Sequence, residues 1–236
     1  MPTQRPQREP AESPSEQPAY SLSEAARYLK LPVATLRSWV IGRSYPTARG
    51  PGRFQPLIHP PRRKPPVLSF SNLIEAHVLR ALRTAHGVSV KDLRKALRHA
   101  EESLGVERLL LHHDLLRTEG GRLFLDRYGE LINLSASGQL AMRKVFEQHL
   151  ERIEWEAPLS PVRLYPFLSS EALATRRPIA IDPRIAFGRP VLVHGGVSTR
   201  AIAERIDAGE TVEALAEDYE LAPEEIEEAV LYERAA

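Results

Sequence analysis

The sequence predicts a mainly α chain with small β elements, and three observations carry that prediction. Apolar residues recur every three or four positions within 22–29, 33–40, 73–82, 93–97 and 140–150, the spacing that lines one face of a helix. Short apolar runs at 54–58, 67–68, 109–125, 161–168, 179–181 and 191–193 are broken by Pro, Gly or Asp and read as small strands. Charge is divided along the chain although the net value is only +1. Residues 20–100 hold 15 Lys and Arg against 3 acids, whereas residues 201–236 hold 2 against 12. A positive half attracts phosphate through counterion release, and a negative end repels it.

The totals narrow the classes further. With 236 residues the chain has room for one or two domains, and 42% hydrophobic content supplies a core. Absence of cysteine removes any disulfide framework, thiolate nucleophile or cysteine zinc site. No apolar run reaches the roughly 18 to 20 residues that span a bilayer, and the first residues lack the apolar centre of a signal peptide. A cytoplasmic chain is expected.

Residues 1–19 set Pro2, Pro6, Pro10, Pro14 and Pro18 among Gln, Glu, Ser and Arg, too little apolar surface to offset ordering, so a disordered leader is expected. Ser21 or Ser23 can cap the first helix, whose apolar face is Leu22, Ala25, Ala26 and Leu29. Leu31-Pro32 ends it, because the residue before proline is pushed out of the helical region. Pro32 suits the start of a second helix, with Val33, Leu36, Trp39 and Val40 inward and Thr35, Arg37 and Ser38 outward. Two short helices joined this way form a helix-turn-helix pattern, whose second helix enters the DNA major groove; an ordinary helical hairpin shares the spacing. Arg43, Arg49 and Arg53 follow, and Arg62-Arg63-Lys64 stand between prolines. Strands at 54–58 and 67–68 would make that basic tip a wing placed to reach backbone phosphate.

The order continues with a helix near 73–85 and Val88-Ser89-Val90 opening another, in LIEAHVLRALRTAHGVSVKDLRKALRHAEESLG. Over residues 20–104 it resembles the MerR-type winged helix-turn-helix family. That resemblance implies a DNA-binding domain. Candidate contacts are Ser23, Thr35, Arg37 and Ser38 at or beside base edges, and Arg43, Arg49, Arg53, Arg62, Arg63 and Lys64 on phosphates. Arg80, Arg83, Arg94 and Arg98 form either a further phosphate-facing flank or a solvated face.

Residues 105–178 read as a connecting β-hairpin/helix segment. Leu109-Leu110-Leu111, 115–117 and Leu123-Phe124-Leu125 predict strands separated by His112-His113-Asp114 and Glu119-Gly120-Gly121, and 137–154 predicts a helix with Leu140, Val145, Phe146 and Leu150 inward. Neighbouring histidines in a strand point to opposite faces, so no metal site is expected there. In the 161–168 strand, Arg163, Tyr165 and Phe167 alternate with Val162 and Leu164, and such a strand either joins a partner's sheet or packs on its own domain.

Residues 179–236 predict two short strands around Asp182-Pro183 and Gly188-Arg189-Pro190, then three helices capped by Ser198 or Thr199, by Thr211, and started by Pro223. The last two have the helix-turn-helix arrangement. With Glu224, Glu225, Glu227 and Glu228 outward the final helix has the wrong charge for a phosphate-lined groove, so a protein partner is expected. The fold class is therefore an N-terminal winged helix-turn-helix plus a C-terminal three-helix helix-turn-helix-like domain.

Ile181-Asp182-Pro183, Gly188-Arg189-Pro190-Val191, Val212-Glu213-Ala214-Leu215-Ala216 and Leu221-Ala222-Pro223-Glu224-Glu225-Ile226 resemble the domain-of-unknown-function 433 family. His194-Gly195-Gly196-Val197 departs from the Gly-Thr-Arg-Ile run more common in that family. The resemblance implies an antitoxin of VapB type, which binds a toxin with a PIN-like ribonuclease fold, blocks its metal-dependent site and represses the shared operon. On that reading the acidic end pairs with a basic toxin surface, or an arginine such as Arg163, Arg176 or Arg177 inserts among the toxin's metal-binding carboxylates. The candidate partner-binding set is Arg163, Tyr165, Phe167, Arg176 and Arg177. A homodimer or higher hetero-oligomer is expected on operator DNA. No catalytic residue, metal or cofactor is expected: the chain lacks a phosphate-binding glycine loop, H-E-x-x-H and a nucleophile elbow, and Asp182 and His194 each sit beside a turn. The alternative is a ligand-responsive MerR-like transcription regulator.

Overall fold

A computed structural model describes residues 13–47, 50–86, 90–132, 135–167 and 177–235. The chain opens with β1 (Tyr20–Ser21), α1 (Leu22–Tyr28) and α2 (Val33–Val40). Ser21, rather than Ser23, caps α1: its hydroxyl accepts the Glu24 amide at 3.2 Å and the Glu24 carboxylate accepts the Ser21 amide at 2.9 Å. Leu36, Trp39 and Val40 bury the inner face of α2, but Val33, expected inward, is 47% exposed. Pro32 stands at the cap position, so Val33 opens the helix on its solvent side.

The wing differs from expectation in two ways. β2 (Arg43–Thr47) and β3 (Gly50–Phe54) form an antiparallel ribbon from Arg43↔Phe54 to Thr47↔Gly50, directly after α2. The strand expected at 54–58 ends at Phe54; Leu57 and Ile58 are buried in a bend whose amides donate to the Trp39 carbonyl at 2.7 and 3.1 Å. The second difference is that Arg62 and Arg63 themselves form β4 (Arg62–Arg63), paired with β5 (Pro66–Leu68) in a sheet of order β1-β5-β4. The turn is Lys64-Pro65.

Behind these strands α3 (Phe70–His86) runs through the main core, with Phe70, Leu73, Ile74, Val78 and Leu79 fully buried, followed by α4 (Val90–Leu104). The strands expected across 109–125 are helices instead: a 3-10 turn at Leu109–Leu111, α5 (His113–Arg117) and α6 (Glu119–Leu131). Gly120-Gly121 is packing rather than a turn, since a Cβ on Gly121 would lie 1.8 Å from the Leu116 carbonyl oxygen. Gly121, Phe124, Leu125 and Tyr128 then recur at helical spacing on the buried face. α7 (Ala136–Leu150) buries Met142, Phe146 and Leu150 and leaves Leu140, expected inward, 70% exposed.

β6 (Ile153–Ala157) and β7 (Ser160–Leu164) make a bulged hairpin. Leu164 and Ile181 then exchange backbone hydrogen bonds of 2.9 and 2.8 Å, which joins the hairpin to the last unit. That unit contains β8 (Ile179–Ala180), β9 (Val191–Leu192), α8 (Thr199–Asp207), α9 (Val212–Tyr219) and α10 (Pro223–Arg234) around its own core of Leu192, Ile202, Leu215, Ile226 and Tyr232. The side chains of Ser198 and Thr211 cap α8 and α9, and α10 opens on Pro223 after Ala222.

α10 is docked on the first helix pair. The Tyr232 hydroxyl donates to the Tyr28 carbonyl at 2.9 Å, and Lys30 lies over the Tyr232 ring at 3.8 Å while donating to the Tyr232 carbonyl. Arg27 and Glu233 approach to 3.8 Å beside them. The disordered-leader expectation is corrected from Ser13 onward. Ser15 is buried and accepts the Ser71 amide at 2.9 Å, and Ala19 donates to Leu68 at 2.8 Å. Residues 1–12 lie outside the described residues. Among the described residues no helix is long and apolar enough to cross a membrane.

Candidate nucleic-acid interface

α2 presents Val33, Ala34 and Arg37 to solvent, with Thr35 and Ser38 half-buried on its flank. The Ser38 hydroxyl donates to the Thr35 carbonyl at 2.7 Å, so its proton is committed inside the helix and its oxygen is left to accept. Ser23 is exposed on α1, 3.1 Å from the Ser21 hydroxyl. The β2–β3 ribbon carries Arg43 and Arg53, both exposed. In its register Arg43 opposes Phe54 and Ser44 opposes Arg53, so alternation puts the two arginines on opposite faces. Tyr45 and Phe54 stack at 4.1 Å on one of those faces. Arg53 also donates to the Ile41 carbonyl at 3.3 Å, which holds the ribbon against the end of α2.

Arg62, Arg63 and Lys64 are exposed on β4 and its turn. Among the described residues, Arg37, Arg43, Arg53, Arg62, Arg63 and Lys64 make no ion pair with a carboxylate. Arg49 lies outside the described residues. Of the flanking arginines, Arg94 is structural: it sits 5.6 Å over Phe54 and donates to the Gln55 carbonyl, tying the ribbon to α4. Arg80 sits 5.7 Å over Phe167. The sequence reading missed this ribbon because Gly50-Pro51-Gly52 reads as a loop; the one strand signal there is the Tyr45/Phe54 pair.

The candidate partner set is mostly engaged inside the chain. Arg163 pairs with Asp182 at 3.3 Å and Glu154 at 3.6 Å. Tyr165 is buried and donates to Glu154. Phe167 packs on the rings of His149 and His77 at 4.4 and 5.8 Å. Arg177 is exposed, 5.3 Å over the Tyr165 ring, and Arg176 lies outside the described residues.

Asp182 is buried and organises the corner that follows β8, accepting the Arg184 amide at 2.9 Å and the Arg184 guanidinium at 3.0 and 3.1 Å. Burial pushes its carboxyl up, but the hydrogen bonds from Arg184 outweigh that and hold it below the usual carboxylate range. His194 faces Glu225 at 3.2 Å instead of Asp182, so the two do not form a dyad. His112 contacts the Glu107 carbonyl and His113 contacts Asp114, each at close range within one short segment.

The acidic helix also needs correction. Glu224 and Glu227 are exposed, but Glu225 accepts the Ala222 amide at 3.0 Å as a cap and Glu228 is buried. Its outer face is therefore less charged than the sequence alone suggests.

Two family models match the chain. One, described as "Putative DNA-binding HTH domain", covers residues 18–97, and one described as "Protein of unknown function (DUF433)" covers residues 179–232. A relative from Mycobacterium tuberculosis (strain ATCC 25618 / H37Rv) named "Putative antitoxin VapB45" is 31% identical over 230 residues, spanning 89% of this chain and 92% of the relative. The X-ray crystal structure of RV2018 from Mycobacterium tuberculosis superposes with a TM-score of 0.64 at 25% identity, covering 91% of this chain and 98% of that one.

Proposed function

This chain belongs to the family of the VapB45 antitoxin relative, and on that premise we propose that it is the antitoxin of a type II toxin–antitoxin pair, neutralising a PIN-like ribonuclease and repressing its own operon. It works in the cytoplasm as a homodimer or within a larger hetero-oligomer and carries out no catalysis of its own.

One observation carries the DNA half of this reading. Among the described residues, six basic side chains on α2, the β2–β3 ribbon and the β4–β5 turn are exposed and make no ion pair with a carboxylate, within a stretch that matches a model described as "Putative DNA-binding HTH domain". Thr35, Arg37 and Ser38 read base edges with Ser23 beside them, and Arg43, Arg49, Arg53, Lys64 and whichever of Arg62 and Arg63 faces the duplex hold phosphates. Two copies engage two half-sites about one helical turn apart.

The toxin is held by residues 105–236. Arg163 is already paired with Asp182 and Glu154, so Arg176 and Arg177 are the better candidates to enter a site built from metal-binding carboxylates, with the exposed acids of α9 and α10 pairing with basic toxin surface.

Co-expression with the neighbouring genes, only this protein tagged, tests the whole reading. A stoichiometric small protein with clustered acidic residues, in a complex that retards a fragment of the shared promoter, is the expected result. A homodimer that binds DNA with no neighbour attached would transfer the case to a ligand-responsive regulator.

A further inference from the structure

The helix pair, the ribbon and the hairpin do not exhaust the positive charge of this half of the chain. Between α4 and α6 lies a groove of about 380 Å³. Lys91, Arg94, Lys95 and Arg98 line it from α4 and Arg127 from α6, against one acid, Glu102. His99 and Leu131 complete the lining, and the other acids of α4, Asp92 and Glu101, are not part of it. Glu130 pairs with Arg127 at 2.9 Å and offsets that one cation. Lys95 and Arg98 are exposed, and among the described residues neither makes an ion pair with a carboxylate.

Such a stripe works against its own helix. Lys91 and Lys95, and Arg94 and Arg98, stand four residues apart, and like charges at that spacing destabilise a helix. Arg94 registers the conflict: burial lowers its pKa, and the neighbouring Arg98 lowers it further. A single glutamate in the groove cannot balance these charges, so the balance has to come from a polyanion outside the chain.

The groove begins where the ribbon ends. Arg94 sits 5.6 Å over Phe54, the last residue of β3, and donates to the Gln55 carbonyl, so ribbon and groove share one side chain. Arg53, a candidate phosphate contact, is the neighbour of Phe54. From Lys91 to Arg98 the helix rises about 10 Å, the axial length of about three phosphates on one strand of a duplex. A small anion would find less to hold it, since α6 offers only Arg127 and that side chain is already paired.

We propose that the α4–α6 groove holds the phosphate backbone of DNA flanking the half-site, so that the footprint of each copy runs past the matched stretch, residues 18–97, into α6. The inference rests on the DNA-binding reading of α2 and the ribbon, and its test keeps the two apart.

The full chain would be titrated with salt against two operator fragments, one trimmed to the half-sites and one extended by about a helical turn at each end. Fluorescence anisotropy gives the affinity and circular dichroism checks the fold, which exposed Lys95, Arg98 and Glu102 should not disturb when changed. Lys95→Ala with Arg98→Ala should lower the slope of log K against log salt by about 1.8 per copy on the extended fragment and leave it unchanged on the trimmed one. Hydroxyl-radical footprinting of that variant should lose protection in the flanks alone. Glu102→Gln should do the reverse and tighten binding to the extended fragment, which damage to the fold would not produce. Equal slopes for wild type and double variant on the extended fragment, or a loss that is the same on both fragments, would overturn the groove and leave α2 in place. A wild type that binds neither fragment would remove the DNA-binding reading itself, and the groove with it. Tripolyphosphate that raises the melting temperature of the wild type but not of the double variant, with the DNA slopes unchanged, would also overturn the inference, because the groove would then serve a small anion.

Discussion

Replacing Arg62, Arg63 and Lys64 together by alanine tests the β4–β5 hairpin as a phosphate contact, and the geometry sets the size of the effect. Arg62 and Arg63 are adjacent on one strand, opposite Val67 and Pro66, so their side chains leave on opposite faces. Only one of them can face a duplex that Lys64 also reaches from the turn. Each neutralised phosphate contributes about 0.9 to the slope of log K against log salt, so the triple variant should lose roughly two units per copy rather than three. Between 50 and 200 mM salt the wild type should then lose about twelvefold more affinity per copy than the variant. Fluorescence anisotropy with an operator fragment and a scrambled fragment, titrated with salt, measures this. The loss should be equal on both fragments, because phosphate contacts carry no sequence. Of the single changes Arg62→Ala and Arg63→Ala, one should lower the slope by about 0.9 and the other leave it alone. An unchanged slope in the triple variant would remove the hairpin from the interface, and a loss of three units would refute the alternation argument.

Tyr232→Phe removes the buried donor to the Tyr28 carbonyl and should cost about 1 to 2 kcal/mol in chemical denaturation. A change of a few tenths would mean that the α10–α1 contact is not formed in solution. His149 is buried and burial lowers its pKa from 6.5 to about 4, with a hydrogen bond to the Val145 carbonyl opposing that shift. Between those values the unfolded chain binds the proton and the folded chain does not. Stability should therefore fall as pH drops from 6.5 towards 4, by on the order of 3 kcal/mol from this group, and His149→Gln should flatten that part of a stability–pH curve. Gly121→Ala puts a Cβ against the Leu116 carbonyl and should destabilise by about 3 kcal/mol, which thermal unfolding would register.

The helix pair α1–α2 is legible in the sequence because its apolar spacing, its serine cap and Pro32 all point the same way. Elsewhere such cues conflict. Leu109-Leu110-Leu111 and the Gly-Gly pair look like a strand and a turn, yet every one of those leucines is buried in a short helical turn and Gly121 is small because another backbone crosses there. The period of Gly121, Phe124, Leu125 and Tyr128 was the available sign of α6. Glu228 illustrates a different limit: spacing fixes a face, but only the tertiary packing of α10 decides that this face is covered. Within the candidate interface the arginine types and their order were readable, while the ribbon that carries Arg43 and Arg53 was hidden by its glycines and prolines.

The contact between Tyr232 and Tyr28 joins residues 204 positions apart. α1 therefore takes its cover from the last helix of the fold, and a polypeptide growing on the ribosome presents Tyr28 and Lys30 uncapped until α10 has emerged. A clone cut before residue 179 would carry the same scar permanently, with Tyr20 missing the Gly188 corner and Tyr28 missing its hydroxyl donor. Excising the reader on its own is thus an operation on two surfaces, and the shortest fragment that keeps α1 covered retains α10 as well.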